Sequence, residues 1–287
     1  MLTVKQILQS AARKLKLKPP NTFIGGNTTA EALLASFDLC GNLLAKEYSW
    51  AVLERKHTIT LVEGQTAYAL PQDYDRQLKG TAWNTSNKSR ALLGVTPFEF
   101  SALENSTGGV PGFDAARTFG WVDNQINLYT APSAGDAGQE IEFYYISNRW
   151  MRPQSWVAGG SVSSGGYVWH NGKVYQAGAS GLMGSTAPTH TSGGVSDGSI
   201  VFTYIQDHGW AKVVEDTDVP LLDDMSLLLG VIVDFGESEG FDVSAYRAEK
   251  NKRLAQVKSD LSGADVIRSF GRYRDIANFP ETGFSGY

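Results

Sequence analysis

The stretch Glu63-Gly-Gln-Thr-Ala-Tyr-Ala-Leu-Pro-Gln-Asp-Tyr-Asp-Arg76 decides how this chain is read. It follows an alternating run, His57-Thr-Ile-Thr-Leu-Val62, of the kind that lays one apolar face on a sheet. Glu63-Gly64 is a turn signal, because glycine takes the positive φ of a tight reversal without strain. Thr66 to Leu70 then reads as a second strand, and Pro71, which has no backbone donor, stops it. The spacing predicts a β-hairpin that releases into an acidic, aromatic loop carrying Arg76. Nothing in it looks catalytic.

Helices flank this β region. Thr3 and Gln6 form a capping box, after which Val4, Ile7, Leu8, Ala11, Ala12 and Leu15 recur at helical spacing until Pro19-Pro20. Lys5, Arg13, Lys14 and Lys16 fall mostly off that face. A second box, Thr28 with Glu31, opens a helix with Leu33, Leu34, Phe37, Cys40, Leu44 and Tyr48 on its buried side, running out near Trp50. Further strands are expected at 79–83, 90–95, 118–129 (with a turn at Asp123-Asn124) and 140–146, and a short helix at 98–103 after Pro97. From about Ser155 to Gln206 glycine pairs punctuate three short aromatic strands, Tyr167–His170, Lys173–Gln176 and Ile200–Tyr204, which reads as a small module inserted in the main domain. Asp218 with Pro220 has the N-cap and first-turn pattern of a helix whose apolar face runs from Leu221 to Val233. A charged helix with a narrow apolar stripe follows from Ala245 to Leu261. Residues 262–287 show no period but carry Arg268, Phe270, Arg272, Tyr273, Arg274, Phe279 and Phe284, so they are expected to form an extended arm that orders against a partner.

Composition narrows the function. The 287 residues hold 42% apolar and 19% charged residues, enough for one large or two modest domains. A net charge of −5 argues against a protein whose main task is to grip nucleic-acid phosphates. Cys40 is alone, which excludes a disulfide framework. No apolar run approaches the ~20 residues that span a membrane. There is no nucleophile elbow, complete P-loop, dinucleotide fingerprint or zincin motif, and His57, His170, His190 and His208 are scattered without metal-ligand spacing. No cofactor and no metal are expected, and no enzyme activity. Asp73 and Asp75 beside Arg76 read as loop caps and a local ion pair rather than an acid–base pair. Asp223 and Asp224 fall in a first helical turn, where negative charge is favourable. Trp156, Tyr167, Trp169 and Tyr175 carry two readings. Exposed aromatics on a glycine-rich β module stack sugars in chitin- and cellulose-binding modules, which the run Gly172-Lys-Val-Tyr-Gln-Ala177 resembles. A module this small also needs aromatics for its own core.

Taken in order, the helix at Thr3–Leu15, the second helix ending at Ser49-Trp50, the run Tyr68 to Arg76, Gly109-Val-Pro-Gly112, Leu128-Tyr-Thr-Ala-Pro132 and Phe143-Tyr-Tyr-Ile146 resemble the head-to-tail adaptor, or connector, proteins of short-tailed bacteriophages. The likeness covers about 1–148 and 219–287. It implies a non-enzymatic virion protein at the head–tail junction, made in the host cytoplasm. Such a protein forms a ring of twelve subunits on the portal protein, meets a tail nozzle or tail tube protein, and lets double-stranded DNA pass without sequence preference. The expected fold is α+β. It comprises a helical bundle from N- and C-terminal helices, a central antiparallel β domain, a small inserted all-β module and an extended C-terminal arm. The expected domains are 1–154 with 207–261 as the adaptor core, 155–206 as the module and 262–287 as a portal-docking arm. The alternative is a glycan-binding tail or capsid component acting through the module. A cell-wall-degrading enzyme is a third reading, and it would need a buried acidic cleft.

Overall fold

The computed structural model describes residues 1–78, 80–95, 118–122, 125–128 and 131–277, and the chain divides into two compact units, Ala51–Arg149 and Met1–Trp50 with Trp150–Tyr287. The architecture is mixed α+β. The expected helix at 98–103, the turn at Asp123-Asn124 and the Gly109–Gly112 segment lie outside the described residues.

Among the described residues the first unit holds nine strands: β1 (Glu54–Thr60), β2 (Ala67–Ala69), β3 (Tyr74–Gln77), β4 (Trp83–Asn84), β5 (Ser89–Arg90), β6 (Leu92–Val95), β7 (Thr118–Val122), β8 (Gln125–Leu128) and β9 (Glu140–Ser147). One sheet runs β1-β9-β4-β5, with β3 also on β9; the other runs β2-β8-β7-β6. Every pairing is antiparallel except β6 with β7. The two sheets share one core of Ile59, Leu61, Tyr68, Ala82, Ala91, Ile126, Leu128, Ile141, Phe143 and Tyr145.

The expected hairpin does not form. The turn is there, with Gly64 at φ +74° and the Gln65 N–H bonded to the Val62 carbonyl, but β1 and β2 leave it into different sheets. The cause is length. β9 offers β1 a partner over seven consecutive positions, Glu54↔Ile146 to Thr60↔Glu140, whereas β2 has only three residues to pair. A tyrosine replaces the missing ladder: the Tyr68 hydroxyl accepts from the Val62 N–H (3.0 Å) and donates to the Gln65 carbonyl (3.2 Å). Past Pro71, the buried carboxylate of Asp73 accepts from the Tyr145 hydroxyl (2.8 Å) and the Ser147 hydroxyl (2.7 Å), tying the loop to β9.

The second unit centres on helices α1 (Val4–Lys14), α2 (Thr28–Glu47), α3 (Asp224–Ser238) and α4 (Ser244–Ala277). The Thr3–Gln6 capping box is present on α1. On α2 the cap is Asn27, whose side chain accepts from the Ala30 N–H, rather than the expected Thr28. The cap of α3 is Asp223, not Asp218: Pro220 pairs in a short strand, and Asp223 accepts from the Ser226 N–H at 2.8 Å. Helix α3 packs against α1, α2 and α4, which explains why Leu227 and Leu229 to Val233 are all buried.

Two tryptophans hold the chain where it leaves and re-enters this unit. The Trp50 indole donates to the Leu44 carbonyl at the end of α2. Trp150 is fully buried against α2, 5.7 Å from the Phe37 ring, and donates to Asn42 Oδ1 and the Ala211 carbonyl. Its ring occupies the notch at Gly41, where an added Cβ would fall 2.1 Å from Cη2.

Beyond Trp150 the chain forms β10 (Met151–Arg152), β11 (Ser161–Val162), β12 (Tyr167–His170), β13 (Lys173–Ala177), β14 (Gly181–Leu182), β15 (Gly194–Asp197), β16 (Ile200–Asp207) and β17 (Val219–Pro220). The sheet β12-β13-β16-β15 has four strands where the sequence indicates three. Edge strand β15 lacks the aromatic composition of the others. Asn171-Gly172 makes the β12–β13 turn with both residues at positive φ. The module has its own core of Val162, Val168, Tyr175, Ala177, Met183, Ile200 and Phe202. At its neck Met151 and Trp210 exchange backbone hydrogen bonds, and Gly209 sits so close that a Cβ would meet the Met151 carbonyl oxygen at 2.1 Å.

Helix α4 continues to Ala277, past the expected end at Leu261 and through the start of the expected extended arm at Ser262. No proline occurs between Ser262 and Ala277, and Val266, Phe270, Tyr273 and Ala277 do recur at helical spacing, a pattern hidden by Gly263 and Gly271.

Two outcomes follow from this packing. Exchanging glycine for alanine inside a helix ordinarily gains about 0.5–1 kcal/mol. Gly41→Ala should instead cost about 1–3 kcal/mol by overpacking against Trp150, seen as a lower urea midpoint; a higher midpoint would show that the indole moves aside freely. The second concerns Asp218, which is fully buried, with Oδ2 accepting from the Val214 and Glu215 N–H groups and Oδ1 without a partner among the described residues. Burial, with Glu215 and Asp216 adding to it, pushes its carboxyl up to about 7. The folded state therefore holds this proton at pH values where the unfolded chain has released it. Stability from this group is full below the ordinary carboxylate range and declines as the pH rises towards 7, by at most about 1.4 kcal/mol per pH unit. Asp218→Asn should flatten that decline, measured as thermal midpoints from pH 4 to 8; a parallel pair of curves would exclude Asp218 as its source.

Candidate functional site

The carboxylates that resemble a catalytic pair have structural partners. Asp73 is held by Tyr145 and Ser147, and Asp75 pairs with the Arg76 guanidinium at 2.5 Å. Burial and the bond to Asp73 push the Tyr145 hydroxyl well above its ordinary range, so it stays a donor. Among the described residues no group of three His, Cys, Asp or Glu side chains is placed to hold a metal ion. Cys40 is half-buried, and burial pushes its thiol up to about 11, which leaves it protonated and a poor nucleophile at neutral pH. No helix among the described residues is long and apolar enough to cross a membrane.

The structure does not gather the four aromatics expected on the module. Tyr175 is completely buried, its hydroxyl bonded to the His190 carbonyl, and it belongs to the core rather than to a contact surface. Trp156 packs against that core and donates its indole N–H to the buried Asp197 at 3.2 Å. Tyr167 and Trp169 do share the opposite face of β12. Tyr167 meets Trp210 edge-on at 5.2 Å and accepts from Gln176, and the Arg152 guanidinium lies 4.8 Å over the Trp169 ring. Alternate residues of one strand serve both faces, so aromatics close in sequence take different roles.

The helical unit presents a different surface. Cys40, Leu43 and Leu44 of α2, Ser226 and Gly230 of α3 and Lys250 and Leu254 of α4 line a groove of about 230 Å³. Leu39, Leu43 and Met225 remain 48%, 59% and 46% exposed. The Arg253 guanidinium bonds the Asp223 carboxylate through two nitrogens, tying α4 to the cap of α3. Burial opposes the charge on Asp223, but Arg253 and Ser226 outweigh it and hold the carboxyl below its usual range. Past this clamp α4 runs on for the twenty residues after Val257, about 30 Å at 1.5 Å per residue. Arg268, Phe270, Arg272, Tyr273 and Arg274 lie on that helical stretch, and Phe279 and Phe284 lie outside the described residues.

Asp197 gives a direct test of the module's construction. It accepts from the Gly184 and Thr186 N–H groups as well as from Trp156. Asp197→Ala would orphan three donors and should cost roughly 1–3 kcal/mol, read as a lower urea midpoint of the whole chain by tryptophan fluorescence. An unchanged midpoint would mean that water replaces the carboxylate.

Comparison with known proteins agrees with the likeness read from the helices and the Tyr68–Arg76 run. The family model described as SU10 adaptor protein matches residues 2–179, which span α1, α2, the whole β unit and the module as far as β13. No curated protein matches the chain. The match covers more than half of the 287 residues, and it identifies the chain as a member of the SU10 adaptor protein family, a phage head–tail adaptor and structural component of the virion that works with portal and tail.

Proposed function

We propose that the protein is the subunit of a ring, of twelve copies, that joins the portal to the tail nozzle or tube and continues the DNA channel. Family membership supports the junction role. The exposed Leu39, Leu43 and Met225 supply apolar surface for side-by-side packing of helical units, with closed symmetry recovering affinity from many modest contacts. In this reading residues 155–206 decorate the ring, and the adaptor core is 1–154 with 207–261.

The observation that carries the portal contact is the length of α4. A helix that runs on for about 30 Å after Val257, with Phe270 and Tyr273 among Arg268, Arg272 and Arg274, has the aromatic and arginine content of a protein-binding hot spot. The docking element is thus a helix carrying these residues, with Phe279 and Phe284 beyond it, rather than an extended arm. A chain cut after Leu261 should keep its cooperative unfolding and lose co-sedimentation with purified portal rings by at least tenfold in apparent affinity. Equal sedimentation of cut and intact chains would refute the docking role.

A further inference from the structure

The charge of this chain is strongly segregated. Of its 25 Lys and Arg and 30 Asp and Glu, five cations and no acid fall in residues 1–30, which leaves the remainder at −10. Four of the five, Arg13, Lys14, Lys16 and Lys18, crowd the end of α1, and all four are exposed. Their side chains make no hydrogen bond or ion pair with any described residue. The same corner holds the end of α3, because Leu15 packs over Gly236, and there Glu237 is already bonded by Arg247.

The backbone at this corner is also unusual. Helix α1 closes with the Leu17 N–H bonded to the Ala12 carbonyl and with Lys16 in the left-handed region at φ +59°. Glycine is the ordinary residue at that position, and a lysine there costs about 1 kcal/mol. A strained residue kept at a charged, unpartnered corner points to a use for its charge. Basic residues in a last helical turn favour the helix dipole, but Lys16 and Lys18 lie beyond the helix, so the dipole does not account for them.

We propose that Arg13, Lys14, Lys16 and Lys18 form a contact for the phosphate backbone of double-stranded DNA. Phosphate recognition without sequence preference needs point charges on long, mobile side chains, which lysine supplies. A protein partner would leave a different signature, since lysine is depleted at protein interfaces and aromatics are enriched. No Phe, Trp or Tyr occurs before Phe23. The acidic remainder repels the same duplex, so the contact is weak and confined, suited to a polymer that must be held and then slide. The proposal rests on the adaptor reading for the presence of DNA.

The test uses the isolated full-length chain and a fluorescent duplex of arbitrary sequence, with affinity followed by anisotropy from low to physiological salt. Four phosphate contacts give a slope of log affinity against log salt of about −3.6. Lys16→Gln should make that slope about one unit shallower, and Arg13, Lys14, Lys16 and Lys18 all changed to Gln should abolish binding at low salt. Lys16→Gly should weaken DNA binding like Lys16→Gln while raising the thermal midpoint, which separates charge from backbone strain. Unchanged binding by the fourfold variant, no binding by the native chain, or equal binding to poly-glutamate would overturn the proposal. Loss of ring assembly or of portal attachment leaves this measurement untouched, so the two readings fail separately.

Discussion

The helical unit depends on one large side chain seated where another residue has none. Trp150 lies in the Gly41 notch of α2, fully buried, with its indole N–H satisfied by Asn42 and the Ala211 carbonyl. A tryptophan buries more apolar area than any other residue, and here it does so at the point where the chain returns from the Ala51–Arg149 unit. The Trp150 carbonyl then receives the Leu221 N–H, so the same residue joins α2 to the segment that leads into α3. A longer side chain at position 41 would displace the indole, the Phe37 contact and both hydrogen bonds together.

Acidic residues hold the loops. Asp73 ties the loop after Pro71 to β9, Asp197 gathers three donors under the module, and Asp38 accepts the Val213 N–H. Asp216 holds Thr22, Phe23 and Ile24 while its carbonyl accepts from Lys5, and Asp218 organises Val214 and Glu215 while its carbonyl accepts from Val4. A carboxylate presents two oxygens to several backbone donors at once, a way to fix irregular chain that helices and strands cannot serve. Asp73, which beside Asp75 has the look of an acid pair in the sequence, is therefore loop architecture.

Surface chemistry is divided in the same economical manner. The apolar residues left exposed on α2 and α3 lie on the helical unit, Arg268, Phe270, Arg272, Tyr273 and Arg274 lie on the far part of α4, and cations without a partner among the described residues cluster at the end of α1. Each is a different kind of surface: apolar, aromatic with arginine, and cationic. An assembly component that meets several neighbours at once has reason to keep such surfaces distinct.

Local signals were legible in the sequence because their partners lie within a few residues. The Thr3–Gln6 box, the apolar faces of α1 and α2, the stop at Pro71 and the strand over 140–146 all stand where the residues indicate. What tertiary structure alone decided depended on distant competitors. β1 took β9, more than eighty residues away, over its neighbour β2 because the longer ladder satisfies more backbone groups. Asp223 displaced Asp218 as the cap of α3 because Pro220 was drawn into pairing with β10. Tyr175 went to the core and Tyr167 and Trp169 to the opposite face of the sheet, since composition names an aromatic but only register assigns its side.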